Sequence, residues 1–544
     1  MIASLIASLR GFAFGVFTLS LSGCASFGGF GGGGPTGNTL QSILEPGPSA
    51  LHQTPSLDSE DVLAFYRARN FRPAWTGDAE AERHAQEARA VLVRADEQGL
   101  TAENYAFAPP HHDIAESLPA AEYEFAVTRA VLRYARDVRT GRVQLNDIYR
   151  DVELPASPFN TAVELRHALD EGTVTEFLTT LPPPHPEYHR LAAALKTYRA
   201  FAESPSSPQG RMAFDADNPE FHLLAARLAL EDSELAALIA PSENDIRAAV
   251  RRYQTRKRLS SDGIVGPATW GALQADSEAR IERIAANMER WRWLPRRFEA
   301  HRVMVNVPAQ TLQFVSNDEV KLSSRVVVGA ERSQTPILRT EAIAVKANPP
   351  WNIPGDIAAR DLLPYMRRNA NYLQERNMVL VDTLETDPYG HQIDWSKVEP
   401  AQFFYSVRQL PGPETGLGAL MLDMPDGFDV YLHDTPAKQF FALDDRALSN
   451  GCVRVQDIFE LASLALTHDA DAGTEPLRAA IESGETQFLP LNTPLPVYML
   501  YWTATDSPNG VMTFPADRYD RDEALINAIL ARSANGVEVA SAPQ

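Results

Sequence analysis

The sequence predicts a multidomain α+β chain: a helical first half, a small helical unit after it, and a mostly-β C-terminal half with an inserted helical segment. Three observations predict it. Apolar residues recur at helical spacing in the first half, as at Val62, Leu63, Phe65 and Tyr66, and again at Ile246, Ala249, Val250 and Tyr253. From Ala300 the spacing changes to alternation, with Val303, Val305 and Val307, then Leu312 and Phe314. The length, 544 residues at 44% hydrophobic content, supplies ordinary cores for roughly three or four domains. A net charge of −21 argues against a nucleic-acid binder, which shows a basic face to phosphate.

In chain order, Arg10 precedes the apolar run "GFAFGVFTLSLSGC", which ends at Cys24. A membrane span needs about 20 apolar residues, so the run is too short for one and fits the core of an export signal. Its end, Leu21-Ser22-Gly23-Cys24, resembles a bacterial lipobox. That resemblance implies a signal over 1–24, lipid on Cys24 and a periplasmic protein. With Ala25 rather than Asp next, it implies an anchor in the outer membrane. "FGGFGGGGPTGN" (Phe27 to Asn38) reads as a Gly-rich flexible linker within 25–50. A helical scaffold domain is expected over 51–220. Its first helix, in "LDSEDVLAFYRARNFRPAW", takes Ser59 as N-cap, and further helices fall at 79–97, 121–139 and 187–202. His185 and His189 stand four apart, but Pro186 and the lack of a third ligand nearby make them surface residues of a loop-to-helix junction, not a metal pair. His111 and His112, beside Pro109 and Pro110, read the same way.

Residues 221–277 form the small helical unit. In "IRAAVRRYQTRKRLSSDGIVGPATWGALQ", Asp262-Gly263 makes a turn and Gly266-Pro267 a second, with the proline suited to the first helical position. Trp270 and Leu273 face back onto the first helix, so Trp270 is core. This stretch resembles the three-helix peptidoglycan-binding domain of cell-wall enzymes. The resemblance implies affinity for glycan or stem peptide, with Asp262, Gly263, Gly266, Pro267 and Trp270 at the motif positions. A module that has lost binding stays open as the alternative. A connecting helix is expected over 278–299, then a β-rich domain over 300–505. Asn317-Asp318 breaks two strands, Phe428 to His433 and Pro496 to Ala504 are further strands, and "VQDIFELASLAL" is a helix. Between them "AARDLLPYMRRNANYLQERNMVLVD" reads as a polar helical insertion, about 355–400, able to act as a lid. Residues 506–544 are left as a C-terminal extension.

The chemistry concentrates in "HDTPAKQFFALDDRALSNGCVR". It holds Cys452, one of two cysteines. If Cys24 carries lipid, Cys452 is a lone thiol in an exported chain, hence a candidate nucleophile. Its neighbours Asn450, Gly451 and Arg454 are not those of a core strand. Cysteine chemistry needs a thiolate, a base or cation beside it, and donors for the oxyanion. His433 ends a strand and supplies the base, Asp434 stands next to it as an orienter, and Arg454 can stabilise an anion. A helix expected from near Val455 would lower the Cys452 pKa through its N-terminus. Gly451 allows tight backbone geometry and exposes its N–H.

The stretch resembles the L,D-transpeptidase catalytic domain, whose pattern H-x-(T/S)-x … S-x-G-C-x-R is met by His433-Asp434-Thr435-Pro436 and Ser449-Asn450-Gly451-Cys452-Val453-Arg454. "VNVPAQTLQFV", "VVVGAERSQTP", "NPPWNIP", "NMERWRWLP" and "FYRARNFRPAW" also resemble the large multidomain periplasmic branch of that family. Asn450 stands where many relatives carry His, and "PETGLGALMLDMP" departs from the branch's Asn- and Lys-containing version. The resemblance implies Cys452 as nucleophile and His433 as base, with the Asp434 main-chain carbonyl orienting the ring. It implies an oxyanion hole from the backbone N–H groups of Gly451 and Cys452. It places Ser449, Asn450, Arg454, Tyr431 and Trp351 against the substrate. Implied partners are peptidoglycan stem peptides and glycan, with the outer-membrane lipid anchor at Cys24. No cofactor, metal or nucleic acid is implied, and the chain shows no HExxH and no cysteine pair of a zinc peptidase. The acceptor stays open: an amine of a second stem, water, or a protein lysine. A non-catalytic wall tether is the rival outside enzymology. A papain-like hydrolase expects Cys before His, and here His comes first.

Overall fold

The computed structural model describes residues 34–45, 57–109, 117–155, 158–204, 212, 214, 218–468, 474–507 and 510–538. The expected signal, with Cys24, and the His111-His112 pair lie outside them.

The first half is helical, with helices Leu57–Ala68, Ala79–Leu92, Ser117–Thr140, Thr161–Asp170, Val174–Thr180 and Pro186–Ala202. The apolar faces of all but the last meet in a core of Phe65, Tyr66, Trp75, Val131, Ala135, Val138 and Leu165; Pro186–Ala202 packs instead through Tyr188, Leu191 and Leu195 against Ile284, Met288 and Trp291. Buried Glu124 clasps the Ala74–Thr76 turn to this core. It accepts the N–H groups of Ala74 and Trp75 at 2.8 Å each and the hydroxyls of Thr76 and Tyr66 at 2.7 Å each. Two local expectations fail here. Gly34–Leu44 is a helix rather than linker, and Leu40 is fully buried against the scaffold, because one apolar face outweighs the poor helix propensity of glycine. Ser59 lies inside the Leu57–Ala68 helix, not at its cap. A third gives way too: His185, expected at the surface, is a core residue, because its Nε2 meets the Pro295 carbonyl at 2.9 Å and its ring lies against Trp291 and Phe298. The described residues hold no cluster of potential metal ligands.

In the next unit, helices Pro219–Ala229, Glu243–Arg256 and the start of Pro267–Arg292 pack around Trp270, Leu273, Ile246, Val250 and Phe201. Ser242 and Asp245 form a capping box, and Pro267 takes the first turn of its helix. Gly263 has φ +72, and the Gln254 side chain binds the turn through Gly263 N–H, Asp262 and the Ile264 carbonyl. Trp270 is fully buried against Phe201, so it serves the core. No break separates this unit from the expected connecting helix: Pro267–Arg292 is one helix of 26 residues.

The C-terminal half is a ten-stranded sheet. Eight of its strands run in the order Ile337–Ala347, Gln487–Leu500, His301–Asn306, Thr311–Ser316, Glu319–Gly329, Val453–Val455, Leu432–His433 and Leu420–Asp423; the other two are short, Val152–Glu153 from the first half beside Ile337–Ala347 and Ala447–Ser449 beside Glu319–Gly329. Leu420–Asp423 pairs back to Ile337–Ala347, Val345 with Leu422, so the sheet closes on itself. Its inner face is the core: Val303, Val305, Leu312, Phe314, Val326, Leu422, Leu432, Val453, Val497 and Met499. Asn317 and Asp318 both have positive φ, the geometry of a tight hairpin turn, which asparagine and aspartate tolerate. The strand expected over Phe428 to His433 is only Leu432–His433, because Asp429 has φ +55 and bends the chain ahead of it.

The insertion is a unit of its own. Besides short helical turns over Gly355–Met366 it contains a three-stranded sheet of Trp351–Ile353, Val407–Gln409 and Met378–Leu380. Its separate core holds Ile353, Leu362, Leu363, Met366, Leu380, Trp395 and Val407. It therefore reaches beyond 355–400 on both sides. The C-terminal segment is not a loose extension. The helix Arg521–Glu538 is fixed by Asp522, which accepts from Arg290 Nη1 at 2.5 Å, Arg283 Nε at 3.0 Å and the Thr503 hydroxyl at 2.8 Å.

Candidate active site

The strands Leu432–His433 and Val453–Val455 pair in parallel, with Leu432 opposite Val453 and His433 opposite Arg454. Side chains alternate faces along a strand. Leu432, Val453 and Val455 point inward and are fully buried. Tyr431, His433, Cys452 and Arg454 therefore share the other face, with Tyr431 level with Cys452 and its carbonyl accepting Val453 N–H at 2.9 Å. One pairing register brings the His433 imidazole beside a thiol and a cation that sit two residues apart on the neighbouring segment.

His433 is 4% exposed. Its Nδ1 meets the Asp434 carbonyl at 2.5 Å, so the main chain, not the Asp434 carboxylate, orients the ring. That carboxylate accepts Ala419 N–H at 2.9 Å and pairs with Lys438, holding down the loop that covers the histidine. In that loop Gly418 has φ +64, and a Cβ there would lie 2.4 Å from Asp434 side-chain atoms, so only glycine fits. Burial, then the Arg454 charge, lower the His433 pKa to about 4, so the ring is neutral at neutral pH.

Cys452 is half-buried and free, its Sγ 3.8 Å from the Asp429 carbonyl. Burial pushes its thiol above the ordinary value, against the Tyr431 backbone N–H and Arg454, which both favour the thiolate. The expected helix at Val455 is absent: Val453–Val455 is a strand and the helix begins at Ile458. The thiol thus sits away from that helix N-terminus, and both the thiol and the imidazole on its face are neutral at neutral pH. Arg454 forms no ion pair among the described residues, and its buried Nε has no hydrogen-bond partner.

The loop before Cys452 is held from within. Ser449, 3% exposed, donates to the Cys452 carbonyl at 2.5 Å and accepts Gly451 N–H at 3.1 Å. Ser449 thus shapes the loop, and the Gly451 N–H expected to face an oxyanion is already taken. Gly451 has φ +117, a region that favours glycine. The Asn450 side chain accepts Arg360 Nη2 of the insertion at 2.8 Å. Trp351 lies one loop removed from the histidine: its ring covers Gly416, where a Cβ would sit 2.8 Å from it. Gly418 and Arg360 escaped the sequence reading, since no spacing links them to His433 or Cys452. Asp262, Gly263, Gly266, Pro267 and Trp270 lie together in the helical unit, holding its turns and core.

Comparison with known proteins agrees with this layout. Residues 300–480 match the family described as the L,D-transpeptidase catalytic domain, 242–273 the "Putative peptidoglycan binding domain", and 60–195 a scaffold domain. A curated protein of Haemophilus influenzae named "Putative L,D-transpeptidase" is 34% identical over 257 residues. The match covers 46% of this chain and 51% of that protein, so the chain spans about half the length of its relative. A solved structure, the Ldtfm-avibactam carbamoyl enzyme, is similar at 11% identity and a TM-score of 0.19, over 52% of this chain and 98% of that one. A likeness that weak carries no argument. His433, Cys452 and Arg454 lie within the span that matches the L,D-transpeptidase catalytic domain, while the strand Gln487–Leu500 of the same sheet lies beyond it; the helical N-terminal region and the small helical unit hold the spans that match the scaffold and peptidoglycan-binding families.

Proposed function

We propose that the chain is an L,D-transpeptidase that cross-links peptidoglycan through a thioester on Cys452. The observation that carries this reading is the parallel register that places Cys452, His433 and Arg454 on one face. The buried imidazole, neutral and held at Nδ1, removes the thiol proton as sulfur attacks the carbonyl of the third residue of a tetrapeptide stem. The C–S bond forms, the carbonyl electron pair moves to oxygen, and collapse breaks the C–N bond. The terminal D-Ala leaves with the proton from His433. An amine of a second stem then attacks the thioester, gives its proton to His433, and frees the thiol. Arg454, a half-buried cation with no carboxylate partner among the described residues, suits the carboxylate of the donor stem. The insertion, tied to the loop at Asn450, covers the donor and keeps water from the acyl-enzyme. The small helical unit supplies affinity for the wall, and a lipidated Cys24 would fix the chain to the outer membrane in the periplasm.

Mass spectrometry of the full chain incubated with a purified disaccharide-tetrapeptide tests this, beside Cys452→Ala. The expected product is a dimer that has lost one alanine, absent with the variant. A tripeptide alone would mark water as the acceptor. An unchanged substrate would favour a protein acceptor or a tether, and full activity in Cys452→Ala would end the reading.

A further inference from the structure

We propose that Thr335 and Tyr519 are positioning residues that aim the Cys452 backbone N–H at the oxyanion; this rests on Cys452 being the nucleophile. Thr335 is fully buried and Tyr519 is 6% exposed, and neither belongs to the loop they serve. The Thr335 hydroxyl meets Gly329 N–H at 2.9 Å and the Gly451 carbonyl at 2.7 Å. A hydroxyl has a single proton. Its first neighbour is a donor, so that proton must go to the Gly451 carbonyl. The same logic fixes the tyrosine. Its hydroxyl meets Thr335 N–H at 3.3 Å and the Gly329 carbonyl at 2.6 Å, so it accepts from the first and donates to the second. Every bond in the cluster has one possible direction.

The consequence is geometric. The Gly451–Cys452 peptide is planar, and in a trans peptide the C=O and the following N–H point opposite ways. With the Gly451 carbonyl drawn inward to Thr335, the Cys452 N–H points outward, and it has no acceptor among the described residues. The Gly451 N–H is spent on Ser449. One donor is therefore left at the nucleophile, and it is set by a threonine 117 residues upstream of Cys452 and a tyrosine from the C-terminal segment. Arg521 extends the hold: its guanidinium binds Gln334 Oε1, next to Thr335, and pairs with Asp151.

Two thiol reagents separate aim from integrity, with the full chain and Cys452→Ala as blank. With p-nitrophenyl acetate the sulfur adds to a carbonyl, an oxyanion forms, and collapse expels p-nitrophenolate. With iodoacetamide the sulfur displaces iodide and no oxyanion forms. Thr335→Val keeps the shape and removes the hydroxyl; Thr335→Ser keeps the hydroxyl. The acylation burst should slow about tenfold or more in Thr335→Val, below the effect of deleting an oxyanion donor outright. Alkylation should change less than about twofold, and Thr335→Ser should recover to within about threefold. Tyr519→Phe should follow Thr335→Val. Equal losses with both reagents, or no loss with either, would overturn the assignment. Since neither probe is a wall fragment, a failure on the disaccharide-tetrapeptide with this contrast intact would sink the substrate reading and leave the positioning role standing.

Discussion

His433 differs from an ordinary histidine in being buried among carbonyls, with a cation at Arg454. Its pKa falls from 6.5 to about 4 on folding. The folded state therefore binds fewer protons than the unfolded one between those values, and the stability it contributes is present above 6.5 and lost as pH falls toward about 4. The contribution is at most about 3 kcal/mol. A urea melt series should show His433→Gln losing less stability than the parent across that window. In the proposed role of base the ring must be neutral, so the acid limb of kcat/KM should lie well below pH 6, where an unperturbed histidine would put it at about 6.5. Gly451 gives a second residue-scale prediction. No atom stands closer than 3.7 Å to a Cβ built there, so space is not the obstacle, but φ +117 is. Gly451→Ala should cost on the order of 1–3 kcal/mol of strain or shift the loop, and turnover should fall further than thermal stability implies.

At the scale of elements, the strands after Ala300 and the Asn317-Asp318 hairpin were legible because alternation and turn residues act locally, whereas the bounds of the strands at His433 and Leu500 were not. The start of the helix near Cys452 was not. "VRVQDIFELASLAL" contains alternating Val453 and Val455 followed without a break by helical spacing, and only sheet pairing decides that the valines are strand. The Gly-rich stretch misled in the other direction, since composition cannot show the scaffold face that receives Leu40. His433 and Cys452 could be named from motif and residue chemistry. Thr335, Gly418 and Tyr519 could not, because closure of the sheet, not spacing, brings them to the loop. The insertion reaches the loop through Arg360 and Asn450, an exposed contact. Surface pairs of this kind contribute little to stability. Arg360→Ala should thus leave the melting temperature within about 2 °C and raise KM for the donor, with kcat less affected.

At the scale of the molecule, distant segments meet in buried ion pairs. Burial would raise the Asp522 pKa, but Arg290 and its other partners hold it below the usual carboxylate range. Asp522→Asn leaves Arg290, 3% exposed, without its counter-charge, so unfolding by denaturant should show a loss of about 3–5 kcal/mol. The same region carries Tyr519, so a chain ending before 517 should lose acylation as well as stability.

The helix Pro267–Arg292 begins in the small helical unit and ends against the sheet domain, where Ile284, Met288 and Trp291 are buried. At 1.5 Å per residue its 26 residues make a rod about 39 Å long. A tether would let one end of the chain hold a polymer while the other searched. A rod works as a caliper instead: it fixes both the span and the compass bearing between the small helical unit and the sheet that carries Cys452. Each residue added to it would lengthen the span by about 1.5 Å and swing the bearing by about 100°. The orientation of the small helical unit relative to the sheet is thus written into helical phase, and a two-residue insertion would turn that unit to nearly the opposite side.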